Sequence, residues 1–218
     1  MSIPYTPPPD KGLTVIFADD SLLVVNKPAG LLSVPGRGDD KQDCLASRVQ
    51  AAYPDALIVH RLDMSTSGLL VLARGEAIQS EINRLFRERA VHKRYLAVVD
   101  GELAETAGEI DLPLICDWPN RPRQKVDHDI GKRSLTRFTR LEFDPVQRTT
   151  RVALEPVTGR SHQLRVHMAA LGHPILGDEL YGGPAEHKAP RLLLHAMNLA
   201  FAHPLSGEAL AFHCPPDF

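Results

Sequence analysis

Three cysteines in 218 residues, Cys44, Cys116 and Cys214, are too few, too scattered and odd in number for a disulfide framework. None sits in the C-x-x-C spacing of a cysteine-rich zinc site, so reduced thiols in a cytosol are expected. Long apolar runs are missing as well. Nothing approaches the ~18 residues that a membrane span requires, and the opening MSIPYTPPPDKG has no basic stretch leading into an apolar one. A soluble, cytoplasmic protein is the expectation. P-loop, Rossmann and H-E-x-x-H patterns are absent, and His162 and His167, five apart among ten histidines, do not share a helical face. Neither a metal site nor a cofactor cradle is expected, and no repeat of fixed period runs through the chain.

Excess positive charge is lacking too. A net charge of -2 argues against a protein that holds nucleic acid by bulk electrostatics. The charge is nevertheless unevenly placed. Between Arg121 and Arg140 stand Arg121, Arg123, Lys125, Lys132, Arg133, Arg137 and Arg140 against Asp127 and Asp129, and a second cluster holds Arg84, Arg87, Arg89, Lys93 and Arg94. Each cluster reads either as a solvated face or as a strip for a polyanion. Tryptophan occurs once. Trp118, with Pro119 in the basic connector, is able to stack on a loop nucleotide, although a lone tryptophan is more often a core anchor.

The proline-rich residues 1–11 predict a flexible arm with no catalytic part, and residues 12–218 a single catalytic domain. LTVIFAD (13–19) and LLVVNKP (22–28) predict a hairpin, followed by the Gly/Pro-rich loop PAGLLSVPGRGDD. Leu45, Val49 and Ala52 at helical spacing predict a helix over 43–53 with Asp43 as its cap. LIVH (57–60) and GLLVLAR (68–74) read as strands around the polar RLDMSTS. A helix over 76–88 presents Ile78, Ile82, Leu85 and Phe86, and YLAVVDG (95–101) is a further strand. Residues 134–144 and 149–157 predict an antiparallel pair, and 161–172 a helix capped by Ser161 and ended by Gly172. Two short strands close the chain. Hairpins mixed with dispersed helices indicate an α+β fold with a largely antiparallel mixed sheet flanked by helices.

His60 to Gly68, HRLDMSTSG, places an acid, an arginine and hydroxyls on a tight connection between two apolar strands. Taken alone, Asp63 is as well explained by an Asx turn or a salt bridge to Arg61 as by catalysis. TGRSHQLRVH (158–167) adds Gly159 for a turn and Arg160 and Arg165 as anion or carboxylate partners, against the plainer reading of a capped surface helix.

These two segments, with KRYLA (93–97), NKPAGLLSVPG (26–36), the continuation MAALGHPILGD, and RLLLHA, resemble the signatures of the RluA-type pseudouridine synthases. The resemblance covers nearly the whole folded chain. The connector DLPLICDWPNRPRQKV (111–126) is similar to that of the member acting on both ribosomal and transfer RNA. The resemblance implies Asp63 as the nucleophile, Tyr95 packed against the uracil, Arg165 paired with the aspartate, and Arg61 entering the space left by a flipped base. His60 either touches phosphate or orients the loop. Arg121, Arg123, Lys125 and Arg160 are the remaining RNA-binding candidates. An S4-like RNA-binding domain carried by many relatives is missing from the pattern, so the catalytic domain itself is expected to grip RNA.

The expected targets are stem-loops of 23S rRNA, at uridine 746, and of tRNA, at uridine 32 of the anticodon loop. Another rRNA or tRNA uridine is the alternative. The expected state is a monomer with no membrane partner. Breaking C1′–N1 and making C1′–C5 moves no hydride, electron or phosphoryl group, so no cofactor is implied. A carboxylate serves such chemistry by a covalent adduct or by a glycal, and the sequence leaves both routes open. Two other functions compete. A non-catalytic RNA-binding or ribosome-assembly module would not need Asp63, Tyr95 and Arg165 together, and a nucleoside hydrolase would call for a second acid.

Overall fold

Two short apolar, β-rich runs on either side of an Asp-Asp-Ser turn fold into the expected hairpin, β1 (Val15–Ala18) against β2 (Leu22–Lys27), with a bulge between Val15 and Phe17. The Asp19 carboxylate accepts from the Ser21 and Leu22 amides at 2.7 and 2.6 Å and so closes the turn. The computed structural model describes residues 5–218, so the first four residues of the expected arm lie outside the described residues. From Tyr5 onward the arm has no regular secondary structure but is tied down. Tyr5 Oη donates to Asp43 O and accepts from Leu32 N, both at 3.0 Å, and Arg48 donates to Pro8 O at 2.7 Å.

Two compact units divide the chain: residues up to His92 with 196–217, and residues 93–195 with Phe218. In the first, α1 (Leu45–Ala52) follows the Gly/Pro-rich loop, and β3 (Ala56–Ile58), β4 (Ser67–Arg74) and α2 (Glu76–Arg87) come next. Asp43 is not the cap of α1. Cys44 takes that place, its Sγ accepting from Ser47 N while Ser47 Oγ accepts from Cys44 N, because the Asp43 carboxylate is held by Arg48 at 2.8 Å. Helix α2 turns Ile82 and Leu85 into a core with Leu22, Val24, Leu69 and Val71. Each such side chain stabilises the fold by about 1.5–3 kcal/mol on burial.

The second unit comprises β5 (His92–Asp100), β6 (Ala107–Asp111), β7 (Leu114–Cys116), β8 (Gln124–Val126), β9 (Leu135–Asp144), β10 (Thr149–Pro156) and α3 (Gln163–Ala170). Its strands run in the order β5-β10-β9-β6, with β7 and β8 as a separate ribbon. Helix α3 buries Gln163 through Met168 without interruption, and Leu164 and Met168 join Ala97, Val99, Val152 and Leu154 in the core. Ser161 does not cap it. His162, at φ 54°, is the N-cap, and the Gln163 amide oxygen accepts from Arg160 N at 3.0 Å and from Thr158 Oγ1 at 2.7 Å. Its Nε2 donates to Leu135 O and Thr136 Oγ1, both at 3.0 Å, so this buried amide ties the residues before the helix to β9, while α3 itself has no side-chain cap. Gly172, at φ +88°, ends the helix as expected.

The chain finishes with β11 (Leu194–Ala202) and β12 (Ala209–His213). The first unit is thereby ordered β1-β2-β4-β11, with β3 on β4 and β12 on β11. The α+β architecture follows, with antiparallel strand pairs dominating. Among the described residues no helix is long and apolar enough to cross a membrane.

Candidate active site

The loop between β3 and β4 is sewn to the Gly/Pro-rich segment on both sides of Asp63. On the N-terminal side, Ser33 Oγ donates to Leu62 O at 2.7 Å and accepts from Leu62 N at 3.1 Å. On the C-terminal side, Met64 O accepts from Gly30 N at 2.9 Å and from Lys27 Nζ at 3.1 Å. Asp63 itself is half-buried, and its carbonyl closes a turn by accepting from Thr66 N at 3.1 Å. Backbone on both flanks is therefore fixed while the carboxylate reaches partial exposure. The same segment also serves α1, whose Leu45 and Ala46 amides donate to Leu32 O and Ser33 O.

Lys27 is the residue that the sequence reading passed over. It ends β2 opposite Gly68 of β4 and is fully buried. Its three donors are matched by three carbonyls, those of Pro28, Leu31 and Met64, at 2.9, 2.7 and 3.1 Å. Burial pulls its pKa down to about 7 while the charge of Asp63 pulls the other way. A buried amine that changes charge near neutral pH is thus held under the loop that carries Asp63. A lysine closing the apolar strand LLVVNK was the available signal.

Gly68 permits the tight junction at the start of β4. It sits at φ +113°, and a Cβ there would lie 2.4 Å from Ala196 O. The His60 ring is held on two sides. Its Nε2 accepts from Val71 N at 3.1 Å, which places the ring proton on Nδ1, and the ring lies 4.8 Å from that of Phe86. Arg61 is exposed.

In the second unit, Tyr95 lies on β5 opposite Leu154 of β10, half-buried against the core. Arg165 on α3 makes a bidentate pair with Asp178, Nε to Oδ2 at 2.8 Å and Nη2 to Oδ1 at 2.7 Å, with both residues buried. Burial pushes the Asp178 carboxyl pKa up, but Arg165 and the amides of Leu180 and Tyr181 outweigh it and hold the pKa below the usual carboxylate range. Asp178 was a second omission from the sequence reading, although it ends the motif HPILGD. Tyr181 was a third. Its ring lies 5.2 Å from the Arg165 guanidinium, its hydroxyl pairs with His162 Nδ1 at 2.7 Å, and the same oxygen accepts from Gln124 N at 2.7 Å.

The basic clusters are partly spent on neighbours. Arg133 pairs with Asp111, Arg137 with Glu109, Arg140 with Glu102 and Lys125 with Asp127, and in the other cluster Arg84 sits between Glu81 and Glu88. Exposed Arg121 and Arg123 on the ribbon side make no ion pair among the described residues, and exposed Arg160 reaches Arg133 O at 3.4 Å. His167, in contrast, is structural. Its two ring nitrogens meet Thr136 Oγ1 and Leu112 O at 2.9 and 3.1 Å, and burial lowers its pKa. Among the described residues no group of three or more metal-ligating side chains occurs.

Known proteins resemble this chain over most of its length. The family model described as RNA pseudouridylate synthase matches residues 21–170. The chain is 52% identical over 215 residues to the dual-specificity RNA pseudouridine synthase RluA of Escherichia coli K12, covering 98% of each. It is 53% identical over 217 residues to the protein of the same name from Pasteurella multocida, covering 99% of each. Among solved structures, human RNA pseudouridylate synthase domain containing 1 superposes with a TM-score of 0.80 at 32% identity, over 98% of this chain and 87% of that one.

Proposed function

The chain belongs to the RNA pseudouridylate synthase family and isomerises uridine in RNA, and on that premise we propose that Asp63 is the nucleophile and that both 23S rRNA and tRNA stem-loops are substrates. The observation that carries the first part is the two-sided anchoring of Leu62 and Met64, which presents a half-buried carboxylate with almost no backbone freedom. Lys27 beneath the loop adds to that anchoring by donating to Met64 O.

The reaction breaks C1′–N1 and forms C1′–C5; the proton leaving C5 goes to solvent, and N1 of the detached, rotated base gains one, so the product is an isomer. Asp63 attacks the nucleoside, either at C1′ as a covalent partner or by drawing a proton on the way to a glycal. Tyr95 supplies a flat face that keeps the uracil in place while it turns. Arg165, aimed by Asp178, serves as the cationic partner of the reacting carboxylate. A uridine stacked in a helix or loop must leave the stack first, and exposed Arg61 enters the space it vacates. His60 orients the loop from behind. Arg121, Arg123, Lys125 and Arg160 face phosphates, with Lys125 exchanging Asp127 for phosphate on binding. The protein works as a cytoplasmic monomer, and these bond changes require no cofactor.

The dual substrate reading is supported by the relatives named dual-specificity synthases at 51–53% identity. Tritium release from RNA labelled at uracil C5 tests both parts. Wild type is expected to release label from a 23S rRNA stem-loop and from an anticodon stem-loop at the two uridines given above, and Asp63→Asn from neither. Release by Asp63→Asn at the wild-type rate would remove the nucleophile assignment. Release from one RNA alone would remove dual specificity and keep the reaction.

A further inference from the structure

We propose that Trp118 and Arg121 at the tip of the β7–β8 ribbon form a stacking platform for one unpaired nucleobase of the RNA substrate, a subsite separate from the pocket for the reacting uridine. The inference deepens the RNA reading above and rests on it. Trp118 is no core anchor: it is 65% exposed. Leaving so large an apolar ring in water gains the fold nothing. The turn beneath it is nevertheless tightly made. Asp117 N donates to Arg123 O at 2.9 Å, Asn120 N to Asp117 O at 2.9 Å, Arg123 N to Asn120 O at 3.0 Å, and Asn120 Nδ2 to Asp117 Oδ2 at 2.9 Å. A ring held on a rigid turn loses little freedom when a ligand stacks on it.

The Arg121 guanidinium lies over the indole, 4.5 Å from its centre. One face of the ring is therefore occupied by a cation, and the other is the one on which a base is to stack. That face is flat and of the size of a single base. The charge around it selects the occupant, because Arg121 and Arg123 are exposed and unpaired by acids among the described residues, which suits a phosphate on either side of the stacked base. An apolar protein partner would be met by these charges instead. The end of the ribbon next to the turn is fixed to the fold through Gln124 N and the Tyr181 hydroxyl, so the platform has a defined place relative to Arg165 within the same unit.

Trp118 is the only tryptophan of the chain and reports its own stacking. The experiment titrates the wild-type full chain with an RNA hairpin bearing a short uridine-containing loop and with a blunt duplex of the same stem. Tryptophan emission is followed beside the anisotropy of the end-labelled RNA. Expected is saturable quenching by the hairpin at the midpoint of binding, lost when one loop nucleotide is made abasic, and little quenching by the duplex. Trp118→Ala is expected to raise KM by about 5- to 100-fold with kcat kept, and Trp118→Tyr to restore most of the loss. Hairpin binding with unchanged emission, equal quenching by the duplex, or an unchanged KM in Trp118→Ala would each overturn the platform. No anisotropy change with either RNA would overturn the underlying RNA reading together with it.

Discussion

Arg165 and Asp178 form a bidentate, fully enclosed ion pair that links the middle of α3 to the turn after HPILG. Two such charges out of water are tolerable only together, since either alone would be buried without compensation. The pair thus fixes the guanidinium in one orientation before any RNA arrives.

Asp178→Asn keeps the shape and removes the charge. Expected is a stability loss of about 3–5 kcal/mol, the usual consequence of orphaning a buried charge, read as a lower urea midpoint. The native carboxyl pKa lies below its unfolded value, so the pair's contribution is complete above the unfolded carboxylate pKa and is lost as pH falls through the native one. Wild type should therefore lose its advantage over Asp178→Asn in the acid range below about pH 4. A difference between the two proteins that is flat from pH 7 down to pH 2 would contradict this.

Lys27 is shifted in the same direction, but in its case the shift marks a cost, because burial disfavours its charged form. Unfolded, it keeps its proton until pH ~10.4; folded, it releases it near 7. Between those values the unfolded state binds more protons, so the stability of the wild type rises with pH relative to Lys27→Met, by an amount on the order of a few kcal/mol. Below pH 7 the buried charge is a constant cost. Urea midpoints of both proteins from pH 6 to 10 check it, and parallel curves would show that the buried ammonium is not titrating. Lys27→Met should also lower kcat, because Met64 O loses a donor.

Much of this was legible in the sequence, for reasons that differ by element. Continuous apolar runs such as LLVVNK and GLLVLAR, buried almost throughout, and the amphipathic 76–88 helix carry their own instructions and lie within a few residues of where the pattern puts them. The two helix starts differ from the sequence pattern: Arg48 claims Asp43 and leaves the cap of α1 to Cys44, and α3 starts at left-handed His162 with no side-chain cap. Asp63, Arg165 and Tyr95 stood out through motif resemblance. Lys27, Ser33, Asp178 and Tyr181 did not, since their roles exist only through contacts that cross many residues of chain. Strands β6, β7 and β8 are three to five residues long, too short to show a period.

Gly68→Ala should be poorly tolerated for two independent reasons, positive φ and collision with the Ala196 backbone. A loss of at least about 2 kcal/mol is expected, together with reduced kcat, because the displaced strand start carries the Asp63 loop. Gly172→Ala is the control: it shares the positive φ, at +88°, but nothing lies within 4 Å of the added Cβ. Thermal melts should rank Gly68→Ala well below Gly172→Ala; equal melting would mean that β4 shifts away from Ala196 at no cost.

Tyr181 joins the ribbon to the arginine site through a single side chain. Its hydroxyl holds Gln124 N and His162 Nδ1, and its ring lies against Arg165. Tyr181→Phe keeps the ring and removes both hydrogen bonds, leaving the backbone amide at the start of β8 without its acceptor. The expected stability loss is about 1–3 kcal/mol. The functional consequence separates anchoring from chemistry. If the hydroxyl serves to hold the ribbon, KM for stem-loop RNA rises about fivefold or more while kcat changes little. A fall in kcat at constant KM would instead mean that the hydroxyl acts on the position of Arg165. Steady-state tritium release across a range of stem-loop concentrations distinguishes the two, and the first outcome is the one that the short Gln124 contact predicts.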